Sequence, residues 1–108
     1  MHVAVVSDIH ANLHALEAVL ADVDREAPDA IWCLGDVVGY GPKPAECCRL
    51  VEEVAVVCLA GNHDLGVLGD VDIADFSPDA ATAAVWTRSE LDEQTRAFLA
   101  SLEPQRGR

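Results

Sequence analysis

The sequence predicts an α/β fold with parallel strands in the order β-α-β-α-β, and three observations carry that expectation. Three short apolar runs, Val3 to Val6, Ala30 to Leu34 and Val54 to Leu59, are nearly continuous in Val, Ile, Leu and Ala. Strands buried in a parallel sheet have that pattern. Segments of helical period separate the runs. Hydrophobic residues make up 51% of the chain and aromatics only 5%, so the core has to be built mainly from aliphatic side chains.

The first helix is read from Leu13, Leu16, Leu20 and Val23, which recur at spacings of three and four while Glu17, Asp22 and Asp24 fall off that stripe. Asn12 is its expected N-cap, and Pro28 and Asp29 end the segment. A shorter helix is expected from about Pro44 to Glu53, after the turn signal Gly39-Tyr40-Gly41-Pro42. Right-handed crossovers then make the sheet parallel. After Asp64, Leu65 to Phe76 reads as an irregular loop. Ser77-Pro78-Asp79 starts a helix reaching Trp86, and Ser89 caps another running through Phe98, Leu99 and Leu102. No strand is expected after residue 60. Trp32 is assigned to the core, and Trp86 to an inward helix face unless its cover is missing. The chain reads as one partial domain, with residues 1–64 as the chemical core and 65–108 as loop and helices.

A net charge of -12, from 19 acidic and 7 basic residues, repels nucleic-acid backbones and anionic lipid. Nonspecific binding to either is not expected, and an anionic substrate needs bound cations to approach. The first apolar stretch is too short for a signal peptide, and no run approaches the roughly 20 residues that span a bilayer. Cys33, Cys47, Cys48 and Cys58 show no CxxC spacing. Cys33 and Cys58 read as small buried hydrophobes, and a reducing, cytoplasmic setting is expected.

The polar residues cluster where the apolar runs end. The first run leads into Ser7-Asp8-Ile9-His10, the second into Gly35-Asp36, and the third into Gly61-Asn62-His63-Asp64. Parallel strands put all three ends at one sheet edge, where α/β proteins place their ligands. Any one of these residues alone is as easily a turn former. Together they form a donor set. Oxygen and imidazole donors without thiolates suit Mn, Fe, Zn or Ni rather than a structural zinc. Asp8 and His10, two apart on an extended exit, can reach one ion. If the first strand is central, Asp36 lies between the other motifs and can bridge two ions, with Asn62 offering an amide oxygen to the second.

Asp8-x-His10, Gly35-Asp36 and Gly61-Asn62-His63-Asp64 resemble the first three signature blocks of the calcineurin-like metallophosphoesterases. The longer strings from Asp8 to Leu13 and from Gly35 to Pro42 look most like small bacterial and archaeal phosphodiesterase-type members. The resemblance covers roughly residues 1–64. It implies an α/β sandwich with two divalent metal ions that hydrolyses a phosphate ester, either a small molecule or a nucleotide. Asp8, His10 and Asp36 are implied for one ion, and Asp36 and Asn62 for the other. His63 is implied as a proton donor or phosphate-contacting group, with Asp64 expected to orient it. Tyr40 is read as either turn packing or a substrate contact, and His2 and His14 as solvated.

The family takes further ligands from later histidines, whereas the four here (His2, His10, His14 and His63) all fall by residue 63. The chain is therefore expected to be a truncated half of the sandwich, ending without closure at Gln105-Arg106-Gly107-Arg108. Such a half should associate with its missing C-terminal half or with itself. The alternative reading is a catalytically dead interaction or regulatory module that keeps the fold.

Overall fold

A computed structural model describes residues 1–104; the expected open end at 105–108 lies outside the described residues. Four parallel strands form one sheet in the order β1 (Val3–Val6), β2 (Ala30–Cys33), β3 (Val57–Ala60) and β4 (Glu103–Pro104). Helix α1 (Leu13–Glu26) links β1 to β2, and α2 (Pro44–Val54) links β2 to β3. Helices α3 (Asn62–Leu68), α4 (Pro78–Glu90) and α5 (Glu93–Ser101) lead back to β4. The expected α/β class and parallel sheet are therefore present.

The caps follow side-chain chemistry. Asn12 accepts the Ala15 N–H (3.1 Å) at the start of α1, as expected. Pro44 opens α2 and Pro78 opens α4, where a missing N–H costs nothing. Ser77 accepts the Ala80 N–H at 3.2 Å.

Along β2 the side chains alternate between two unlike faces. Fully buried Cys33 pairs with Val6 and Cys58 and joins a core with Leu16, Cys47, Cys48, Val51, Val67, Ala84 and Leu99. All five helices contribute to that core, so they cover one face of the sheet. On the opposite face Val5, Trp32 and Val57 lie in register across three strands, 55%, 38% and 43% exposed. The expectation of a core Trp32 is thus corrected. Apolar character on both faces hid which one the helices would cover. Trp86 is also on the surface, 42% exposed.

Four further expectations change. Val54 completes the last turn of α2, with Ala55 N–H donating to the Val51 carbonyl (2.9 Å), so β3 starts only at Val57. The expected loop from Leu65 to Phe76 contains most of α3 and a single 3-10 turn at Ile73–Asp75. Asp92, not Ser89, caps α5, accepting the Thr95 N–H at 2.8 Å and pairing with Arg49. Two residues past the last helix, Glu103 and Pro104, align with Leu59 and Ala60 as β4.

Candidate metal centre

β2 lies between β1 and β3, so Asp36 leaves the sheet between the other two motifs. The premise of a central first strand is replaced, and the central place of Asp36 follows from β2 instead. Beyond the strands, the β1 and β2 loops stay paired. Asp8 N–H donates to the Gly35 carbonyl (3.1 Å), His10 N–H to Asp36 (2.9 Å) and Ala11 N–H to Val37 (2.8 Å).

The exit from β1 is not extended. Asp8, His10 and Asp36 have φ of 57°, 51° and 54°, a left-handed backbone that costs a non-glycine residue about 1–2 kcal/mol. Strain of this kind persists only where the surroundings fix it, and it clusters at functional sites. The loop-to-loop hydrogen bonds supply that constraint.

The result is a compact donor group. One ligand atom from each of Asp8, His10 and Asp36 falls within 4.8 Å of the others. Asp8 Oδ1 lies 3.5 Å from His10 Nε2. On the far side of that ring Nδ1 is 3.3 Å from the Val38 carbonyl oxygen. The Val38 carbonyl thus holds the ring by Nδ1 and turns Nε2 towards Asp8. Two carboxylates and a fixed imidazole fit a divalent cation of the oxygen- and nitrogen-loving kind.

The third motif is joined by backbone. His63 N–H donates to Asp36 Oδ1 at 3.0 Å. A Cβ on Gly61 would stand 2.3 Å from that same oxygen, so only glycine lets β3 come this close. Asn62 opens α3 next to this contact, with an exposed side chain that makes no hydrogen bond among the described residues.

The expected pairing of Asp64 with His63 is corrected. Asp64 is fully buried, and its oxygens accept the N–H groups of Asp36 (2.8 Å), Val38 (3.1 Å) and Gly61 (2.9 Å). Burial pushes its carboxyl up to about 6, against the pull of those amides. It ties the second and third loops together from beneath and has no open path to a phosphate.

His63 instead stands among rings. Its centroid is 4.8 Å from His10, 5.0 Å from Tyr40 and 4.9 Å from Phe76. Its Nδ1 is buried, with no hydrogen-bond partner among the described residues. Desolvation lowers its pKa, with the Asp36 carboxylate opposing. Phe76 was invisible to sequence reasoning, because it sits in a stretch that reads as loop. His2 and His14 are exposed, as expected.

The chain belongs to the calcineurin-like phosphoesterases: the model of that family matches residues 1–100. It is 44% identical over 100 residues to the uncharacterized protein MJ0912 of Methanocaldococcus jannaschii, covering 93% of this chain and 41% of that protein. It is 36% identical over 93 residues to the symmetrical bis(5'-nucleosyl)-tetraphosphatase of Aliivibrio salmonicida, covering 82% of this chain and 34% of that one. Its fold matches the crystal structure of a metallophosphoesterase from Sphaerobacter thermophilus with a TM-score of 0.77 and 46% identity, over 94% of this chain and 41% of that one. The chain thus spans about two fifths of the length of the Methanocaldococcus and Sphaerobacter proteins.

Proposed function

We propose that this chain carries the first ligand set of a dinuclear, metal-dependent hydrolase of phosphate esters. The convergence of Asp8, His10 and Asp36 at one strand edge carries the reading. Asp8 and His10 would hold one ion, Asp36 would be shared, and Asn62 would offer its amide oxygen to the second. Bound cations would supply Lewis acidity and neutralise the charge of the phosphate. His63, whose ring lies beside His10 and whose backbone N–H is held by Asp36, would contact a phosphoryl oxygen or protonate the leaving oxygen. Asp64 keeps the loops of Asp36 and Gly61 in register. The donor types admit Mn, Fe, Zn or Ni. Tetraphosphatase relatives support a nucleotide substrate. The acidic surface and free cysteines support a cytoplasmic enzyme that does not bind nucleic acid or membranes nonspecifically.

Metal analysis and a panel of phosphate esters test this on the full chain. Asp36→Ala should lower occupancy of both ions, and Asp8→Ala mainly of one. His63→Ala should keep the ions while kcat falls on the order of 10²–10⁴. Two ions retained by Asp36→Ala would remove the bridging role, and metal loss in His63→Ala would make His63 a ligand.

A further inference from the structure

The rings of Phe76, His63 and Tyr40 follow one another at centroid spacings of 4.9 and 5.0 Å, tilted by 38° and 41°. Phe76 and His63 are partly buried, whereas Tyr40 is 53% exposed. His10, one of the ligand trio, meets Tyr40 edge-on at 5.3 Å. The series therefore runs from partly buried Phe76 to exposed Tyr40 beside the Asp8, His10 and Asp36 group.

Tyr40 is held there against local preference. Its φ of 66° is left-handed, a conformation that an aromatic residue rarely adopts. Gly39 before it lets the loop close on His63, because a Cβ there would lie 2.8 Å from Nδ1. The loop is further pinned by Gly41 N–H donating to the His10 carbonyl at 2.9 Å. The Tyr40 hydroxyl makes no hydrogen bond among the described residues. Core packing thus accounts for neither the ring's exposure nor its strained backbone.

We infer that Tyr40 is a specificity-determining residue, whose exposed ring extends the Phe76–His63 series and stacks on a flat group carried by a phosphate ester. This rests on the phosphoester reading above. A nucleobase or an aryl ring meets the requirement, because stacking needs only a π-face. Selection is then for the presence of a flat group rather than for one particular base. The ring, not the hydroxyl, carries the effect.

Two ligands with the same sugar and phosphate isolate the ring: adenosine 5′-monophosphate and ribose 5-phosphate. Their equilibrium binding is measured on the full chain saturated with Mn²⁺. The base should improve affinity about 5- to 150-fold, the range expected for one base stacked on an aromatic side chain. Tyr40→Phe should keep that ratio. Tyr40→Asn, which suits the left-handed backbone but lacks a ring, should bring it close to one. Unchanged circular dichroism and metal content identify a folded variant; if Asn fails to fold, Tyr40→Gly replaces it. Equal wild-type affinity for the two ligands overturns the inference, as does a ratio that survives loss of the ring. Base preference through Tyr40 without turnover of any ester would sink the hydrolase reading and leave the stacking role standing.

Discussion

Three backbone N–H groups, from Asp36, Val38 and Gly61, end on the two oxygens of Asp64. A buried donor that loses its acceptor costs about 1–3 kcal/mol, so removing this carboxylate strands three at once. Asp64→Ala should destabilise the chain by on the order of 3 kcal/mol or more. It should also weaken metal binding, because all three freed amides belong to the loops that carry Asp36 and Asn62. Asparagine is a poor rescue, since its NH₂ would face at least one amide donor. Urea unfolding with metal titration measures both effects. An Asp64→Ala chain with unchanged midpoint and affinity would make the three bonds incidental.

At the scale of elements, α3 is closed from outside. Arg88 on α4 donates from Nε to the Val67 carbonyl (2.8 Å) and from a terminal nitrogen to that of Gly66 (2.9 Å), meeting the open C-terminal end of the helix. Arg88→Ala should cost about 1.5–3 kcal/mol, the range for hydrogen bonds to a charged group, and Arg88→Lys should recover part of it. Thermal unfolding reads the difference; an Ala variant as stable as the wild type would mean that solvent serves the carbonyls equally well. This helix also marks where sequence reading stops. β1, β2, α1 and α2 were legible because their periods and caps are local. α3 was not, since Gly66, Gly69 and Asp70 read as breakers while its support comes from residue 88. The convergence of Asp8, His10 and Asp36 was legible because strand ends announce themselves. The true partners of Asp64 were not, because backbone donors carry no sequence signal.

For the whole molecule, the row of Val5, Trp32 and Val57 leaves one face of the sheet apolar and open. The 108-residue chain should cover it with a second copy. The charge of -12 opposes that contact, so association should strengthen as salt rises from about 0.05 to about 0.5 M and screening shortens the reach of repulsion. Trp32→Thr with Val57→Thr should shift sedimentation towards monomer. A wild-type chain that stays monomeric at every concentration and salt would refute the idea. The pairing between the β1 and β2 loops has a further consequence, for synthesis on the ribosome. Every bond that sets the backbone of Asp8, His10 and Asp36 is made within the first 64 residues. Translation adds about 5–20 residues each second, whereas a helix forms in microseconds and a small α/β unit folds within about a second. The ligand trio can therefore take shape while later residues are still being added, and a cation captured then would act as a template for the remainder.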